Sequence, residues 1–204
     1  EQPALDAVRL VLYSSLFKRH LGPKVFDISA AGAGYDIVFS ADGIMVSAEG
    51  FQPLLPGLLE RISLEVRNGL NIKQVEFDRS VKELGESLRS YSEMPVDYAV
   101  FDLKVLLTAS MQSKEEALEA LSEVNASAVG SVVADVLLRS PLKLDALAMG
   151  NLDEEQARHA VSAVMTGVHS PASALGVDSA AKVLPVTPVV RPGRPVELRR
   201  KNPR

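Results

Sequence analysis

Three histidines, His20, His159 and His169, are the side chains of this sequence best suited to bind a metal ion. A zinc site needs at least three protein ligands held close together, and the chain has no cysteine to supply thiolates. Glu155 and His159 are four residues apart and share one face of a predicted helix, but no third ligand joins them at that spacing. We interpret the pair as exposed helix side chains and predict no metal site.

Two glycines, Gly32 and Gly34, raise the question of a phosphate-binding loop. In a dinucleotide-binding loop the glycines follow a strand and open a helix, so that backbone amides point at the pyrophosphate. The apolar spacing here predicts the reverse order, with a helix before the glycines and a strand after them. We therefore interpret them as a helix C-cap and turn. A nucleotide-binding enzyme is the alternative that rests on these two residues alone.

The sequence contains no set of side chains suited to nucleophilic or acid–base catalysis either. Cysteine is absent, and no Gly-x-Ser-x-Gly sequence provides an exposed serine nucleophile. The acidic pair Glu115–Glu116 and the run Asp153–Glu155 fall at predicted helix starts, where the helix dipole accounts for negative charge. We predict that this chain contains no catalytic, cofactor-binding or metal-binding residue.

The elements that position these residues are predicted to be mostly helices. One helix starts near Ala4, is interrupted at Gly22–Pro23 and resumes, and Tyr35–Ser40 and Ile44–Ala48 form a hairpin around Ala41–Asp42–Gly43. Later helices are predicted from Pro53 to Asn68, from Lys73 to Ser92, from Pro95, from a capping box at Ser113–Glu116, from Asn125 to Arg139 and from Asp153, with a strand at Leu142–Met149. The sum is an α+β fold, an antiparallel sheet covered by several long helices.

Charge is distributed unevenly along the 204 residues, whose formal net charge is −4. Residues 1–188 carry 16 basic and 25 acidic groups, whereas residues 189–204 carry six basic groups and one acidic group. This balance predicts no nucleic-acid partner for the body of the protein. The basic tail is interpreted as an edge strand rather than as a polyanion hook. No apolar run reaches the roughly 20 residues that a membrane helix needs, and the compartment is left open.

The order of these features resembles the middle, third domain of insulysin and pitrilysin-type zinc peptidases. A helix of small residues runs into GYDIVFS, then IMVSAEGFQ, PLLPGLLERI, EFDRSVKELGESLRSYSEMPVDYAVFDLKVLLTA, SKEEALEAL and finally LDALAMGNLDEEQA. The resemblance covers about Leu5 to Val168. It implies residues 1–169 as the middle domain, and residues 170–204 as a Pro/Gly-rich linker with the start of the following domain.

This resemblance implies a part of a peptidase that is not itself catalytic. The family binds zinc through an inverted His-x-x-Glu-His helix in its first domain, and that motif is absent here. The expected function is therefore a non-catalytic domain of the C-terminal half, without its own cofactor, that forms part of the chamber enclosing peptide substrates. Its partners would be the other domains and the peptides. A start without methionine is taken as a sign of an excised piece, which would expose apolar surface and self-associate. The alternative is an autonomous interaction or core-subunit module of the same fold.

Overall fold

A computed structural model of the protein describes residues 3–41, 43–90, 95–108, 111–137 and 144–168. The described helices are α1 (Pro3–Leu21), α2 (Phe26–Ala30), α3 (Leu55–Asn68), α4 (Gln74–Arg89), α5 (Pro95–Leu107), α6 (Lys114–Glu123), α7 (Ala126–Leu137) and α8 (Glu154–Val168). Two strands, β1 (Gly34–Ser40) and β2 (Gly43–Glu49), form an antiparallel sheet. Short 3₁₀ turns precede α2 and α3. The α+β prediction is thus confirmed.

Helix α1 is the centre of the core. Apolar side chains along it are almost fully buried, and β1, α4, α6 and α7 all pack against it. Three aromatic rings join it to the hairpin: the ring of Phe39 on β1 meets those of Tyr13 and Phe17 edge-on, with centroids 4.8 and 5.2 Å away. Burial raises the pKa of the Tyr13 hydroxyl to about 12, against a smaller opposing effect from the backbone of Leu70. The helix and the hairpin therefore share one dry interior.

Helix α3 carries a second part of the core and pairs with the last described helix, α8. Leu58, Ile62 and Val66 recur at helical spacing on α3 and are buried. Where the two helices cross, Gly167 of α8 lies on the backbone of α3: a Cβ atom placed on Gly167 would stand 2.3 Å from Cβ of Ser63. The crossing is close because both positions carry small residues.

The predicted helix boundaries depend on local signals, and most are confirmed. Gly69 ends α3 with a positive φ of 69°, and its amide donates to the carbonyl of Glu65 at 3.1 Å. Pro53 lies in the 3₁₀ turn, so that α3 begins two residues later, at Leu55. Helix α4 ends earlier than predicted, at Arg89, because Ser90 is already extended. The predicted positions Asp42, Ser92, Arg139 and Ser140–Pro141 lie outside the described residues.

The predicted strand at Leu142–Met149 is wrong for the residues that the structure describes. Residues 144–149 belong to neither helix nor strand, and Leu147 and Met149 are 85% and 79% exposed. Alternating apolar residues indicate a chain with two different faces. A strand forms only where another strand makes hydrogen bonds with its backbone N–H and C=O groups. The described sheet consists of β1 and β2, which pair with each other.

Candidate functional site

The most connected polar cluster among the described residues joins the end of α1 to α3. The Glu65 carboxylate on α3 is 12% exposed, and its Oε2 accepts from Nε2 of His20 at 3.0 Å and from Nζ of Lys24 at 2.5 Å. Burial alone would raise the pKa of Glu65, but the hydrogen bonds from Lys24 and His20 together outweigh it and hold the pKa below its usual value. Glu65 is therefore an ionised carboxylate fixed between two donors.

Arg61, one turn earlier on α3, extends this cluster to α2. Its Nη1 donates to the backbone carbonyl of Lys24 at 3.0 Å and to Oδ1 of Asp27 at 2.6 Å. The hydrogen bond from Arg61 is the main reason that the pKa of Asp27 lies below its ordinary value. We call His20, Lys24, Asp27, Arg61 and Glu65 the α1–α3 clamp. Each of these contacts joins two parts of the fold, so the cluster attaches α3 to the end of α1 and to α2.

The two histidines that the structure describes, His20 and His159, are not brought together. His20 belongs to the α1–α3 clamp, His159 lies on the exposed side of α8, and His169 falls outside the described residues. The ion pair on α8 joins Glu154 and Arg158, with Oε1 and Nη2 2.7 Å apart. In the described ranges, no group of three histidine, aspartate or glutamate side chains is close enough to hold a metal ion.

The glycine turn has the structure expected of a helix end. Gly32 has a φ of 101°, its amide donates to the carbonyl of Ser29 at 3.0 Å, and the amide of Ala33 donates to the carbonyl of Ile28 at 3.3 Å. This is the pair of hydrogen bonds that defines a Schellman motif. The amides of Gly32 and Ala33 are thus hydrogen-bonded to carbonyl groups of α2, and the interpretation of Gly32 as a helix C-cap is confirmed.

The acidic residues at helix starts also have structural partners. Glu116 and Ser113 form a complete capping box, with reciprocal hydrogen bonds of 2.9 and 3.1 Å. The Asp153 carboxylate accepts from the amide of Gln156 at 2.8 Å, and the Gln156 side chain accepts from the Asp153 amide. Asn125 caps α7 through the amide of Ala128 at 2.8 Å. These three caps were predicted from the sequence.

A shallow, open groove lies between residues 144–149 and the outer side of α8. It is lined by small and apolar side chains with one ion pair: Ala146, Ala148, Glu154, Ala157, Arg158, Val161, Ser162 and Met165. A binding pocket for a small molecule is usually enclosed and carries a few converging polar groups. The groove is a surface feature, and its polar lining consists of that ion pair and Ser162.

The sequence analysis missed the α1–α3 clamp. Lys24 and Glu65 are 41 residues apart, and the pattern of each segment explains its own helix without the other. The available signal was a glutamate beside the apolar stripe of α3, next to Val66, where a buried charge requires a partner. That signal points to a partner but does not name it.

The geometry defines a helical α+β domain whose described polar clusters cap and join its helices. Residues 1–120 match the profile of the middle or third domain of peptidase M16, and the chain belongs to this family. The predicted family resemblance is thereby confirmed. None of the described helices is long and apolar enough to cross a membrane.

Three similar proteins are much longer than this chain. It is 28% identical over 147 residues to the insulin-degrading enzyme of Homo sapiens, an alignment that covers 72% of this chain and 14% of that protein. It is 25% identical over 156 residues to the putative zinc protease mug138 of Schizosaccharomyces pombe, covering 76% and 16%. It is 24% identical over 147 residues to a nardilysin-like protein of Arabidopsis thaliana, covering 72% and 14%. The chain spans about one seventh of the length of these relatives.

Proposed function

We propose that this chain is a non-catalytic domain of a zinc metallopeptidase and forms part of the wall of a chamber that encloses peptide substrates. The observation that carries the proposal is the match of residues 1–120 to a middle domain of peptidase M16, together with relatives that are named an insulin-degrading enzyme and a putative zinc protease. The zinc would be bound by another domain of the parent protein. Residues 1–169 would be the domain itself, and residues 170–204, which lie outside the described residues, a linker and the start of the next domain.

Two features of the described residues support a scaffolding role. The polar clusters are engaged in capping helices and in attaching α3 to α1 and α2, so their hydrogen-bonding capacity serves the fold. No group of metal-ligating side chains occurs among them. In this proposal the partners of the domain are the other domains of the parent and its peptide substrates.

The first test is a cleavage assay with the purified chain. We expect no hydrolysis of a quenched fluorescent peptide library in the presence of added zinc, because the described residues offer no metal site and no activated nucleophile. The control is a family peptidase that contains the His-x-x-Glu-His sequence, assayed in parallel. Turnover by this chain that a chelator abolishes and zinc restores would overturn the proposal.

The enclosing role is tested in the full-length parent protein. Deleting the segment that corresponds to residues 1–169 should abolish peptide cleavage while the zinc content, measured by metal analysis, is retained. Retained zinc shows that the metal-binding domain still folds, so the loss of cleavage is assigned to the missing wall. Undiminished cleavage by the deletion variant would contradict the chamber role.

A second candidate is an autonomous interaction module of the same fold, without peptidase siblings. Under either candidate the exposed apolar side of α5, where Val96 and Leu103 are 59% and 54% exposed, would be covered by a partner. The full reading frame separates the two candidates: an upstream His-x-x-Glu-His supports the peptidase domain, and its absence supports the module.

A further inference from the structure

The junction between α3 and the segment that follows it is an asparagine–glycine pair. Asn68 is the last residue of α3 and is exposed, and Gly69 is its C-cap. An asparagine side chain is attacked most readily by the backbone nitrogen of a following glycine, because glycine has no Cβ atom to obstruct the approach. The pair that ends the helix therefore also contains both groups of an intramolecular reaction.

This reaction is an internal acyl transfer that needs only water. The backbone nitrogen of Gly69 loses its proton and bonds to Cγ of Asn68, the side-chain nitrogen takes up a proton and leaves as ammonia, and a cyclic succinimide forms. Water then opens the ring at one of its two carbonyl carbons. The product is aspartate where the original main chain is restored, and isoaspartate where the main chain runs through the side-chain carbon. No oxidant or reductant takes part.

In the folded protein the end of α3 restrains this reaction. The Gly69 amide donates to the carbonyl of Glu65 at 3.1 Å, and Asn68 is part of the helix. Ring closure has to break that hydrogen bond and to rotate the chain about the bond between Cα and the carbonyl carbon of Asn68. Such a rotation displaces the chain on one side of Asn68 or on the other. The rate of reaction therefore depends on what anchors these two sides.

Both sides are anchored to the described core. On the helix side, the Glu65 carboxylate accepts from His20 and Lys24 in the α1–α3 clamp, at 3.0 and 2.5 Å. On the other side, Leu70 is half-buried and packs against the hydrophobic core. A rotation at Asn68 therefore strains the clamp or pulls Leu70 away from the core.

We propose that Asn68–Gly69 is a self-modification site, and that the α1–α3 clamp and the packing of Leu70 set the rate at which it reacts. The reaction converts Asn68 to aspartate or isoaspartate without an enzyme. The new carboxylate lies at the C-terminus of α3, where the negative end of the helix dipole disfavours it. Each reacted chain consequently has a less stable helix end, and the loss of ammonia makes the change irreversible.

The chain contains an internal control for this chemistry. Asn71 is also exposed and lies outside a helix, but Ile72 follows it, and a β-branched side chain obstructs the attacking nitrogen. Trypsin cuts after Arg67 and Lys73, so one peptide carries both asparagines. Mass spectrometry of this peptide, with a zero-time sample to subtract reaction during digestion, should show Asn68 modified well before Asn71 in a chain unfolded by guanidinium chloride. Equal rates at the two asparagines would overturn the proposal.

Release of the clamp tests the restraint in the folded chain. Glu65→Gln removes the charge that Lys24 and His20 contact, and should raise the rate at Asn68 by roughly threefold or more, since charge-assisted hydrogen bonds are weakened. Glu86→Gln makes the same change of charge on α4, at a side chain that is 63% exposed, and should leave the rate unchanged. The unfolded chain should react fastest of all. Equal rates in the unchanged chain and in Glu65→Gln, or in the folded and unfolded chain, would overturn the proposal.

A variant that weakens the whole fold separates local opening from global unfolding. Phe39→Ala removes a buried ring from its contact with α1 and leaves the clamp and Leu70 in place. It should speed the reaction at Asn68 less than Glu65→Gln does, because helix ends open more often than whole proteins unfold. A faster reaction in Phe39→Ala than in Glu65→Gln would overturn the role of the clamp. Leu70→Ala releases the second anchor and should also accelerate the reaction, and an unchanged rate in that variant would exclude Leu70 as an anchor.

Discussion

Gly167 sets how closely α8 approaches α3. A Cβ atom at this position would lie 2.3 Å from Cβ of Ser63, which is closer than packed atoms allow, and 3.2 Å from the backbone nitrogen of Leu64, which is a tight contact. The position of Cβ of Ser63 is fixed by its backbone, so a rotamer change of Ser63 cannot make room. The absence of a side chain here is therefore a packing requirement.

We expect Gly167→Ala to lower the free energy of unfolding by about 1–3 kcal/mol, the cost of overpacking a close contact. The matched control is Gly57→Ala in α3, because no atom lies within 4 Å of an added Cβ there. Alanine favours a helix over glycine, so the control should be neutral or stabilising by up to about 1 kcal/mol. Urea denaturation measures both variants, and equal effects of the two substitutions would contradict the packing argument.

Three helix caps with local partners were predicted from the sequence, and the contacts between distant residues were not. The caps at Ser113, Asn125 and Asp153 each hydrogen-bond three residues away, so a short motif contains the whole interaction. Gly167 meets Ser63, and Lys24 meets Glu65. No motif spans such separations, because the contact is made by the fold and not by the spacing along the chain.

At the scale of elements, the hairpin is attached to α1 by an aromatic cluster, a hydrogen bond and the ion pair between Lys18 and Asp36. Phe39 is 3% exposed, and its ring stands edge-on to both Tyr13 and Phe17. The Phe39 backbone amide also donates to the Ser14 hydroxyl at 3.1 Å. The other strand places Met45 on the opposite side of the sheet, where it is 60% exposed.

Phe39→Ala should therefore cost about 3–5 kcal/mol of unfolding free energy, because it leaves a cavity beside two rings. Met45→Ala, on the exposed side of the same hairpin, should change that free energy by less than about 0.5 kcal/mol. Thermal and urea denaturation followed by circular dichroism measure both. A loss for Met45→Ala as large as that for Phe39→Ala would show that the hairpin is held by its other face.

The hairpin was predicted correctly and the strand at Leu142–Met149 was not, because only the hairpin has its pairing strand next to it in the sequence. Tyr35–Ser40 and Ile44–Ala48 lie next to each other in the chain with a glycine-containing turn between them, so the pattern included both partners. Leu142–Met149 has the alternation of a strand and no neighbour along the chain with which to pair. Apolar alternation alone therefore did not determine the structure of residues 144–149.

At the scale of the whole molecule, the α1–α3 clamp makes stability depend on pH. The ionised Glu65 is favoured in the folded protein, since its pKa there is below the ordinary 4.5. A depressed carboxyl pKa contributes stability that is complete above the ordinary value and is lost as the pH falls through the folded value. Acid should therefore loosen the attachment of α3 to the end of α1.

We expect Glu65→Gln to lower the unfolding free energy at pH 7 by about 1.5–3 kcal/mol, the contribution of a hydrogen bond to a charged group. The difference from the unchanged protein should shrink as the pH falls below 4.5 and through the lowered folded-state pKa of Glu65. Glu86→Gln is the control, because Glu86 is 63% exposed and 3.9 Å from Lys82, a pair that contributes little. Urea titrations at pH 7 and at successively lower pH values measure the difference, and a difference that does not shrink with acidification would contradict the assignment.

The contact between α3 and α8 has a consequence for the order of folding. The 85 residues from 69 to 153 separate the two helices, so their crossing closes one of the longest loops among the described elements. Distant contacts form late because the entropy of loop closure is lost before the contact repays it. During synthesis, α3 leaves the ribosome before Gly167 is made, and the surface around Ser63 stays uncovered until α8 has been added. Nascent chains released before α8 will present that surface to chaperones.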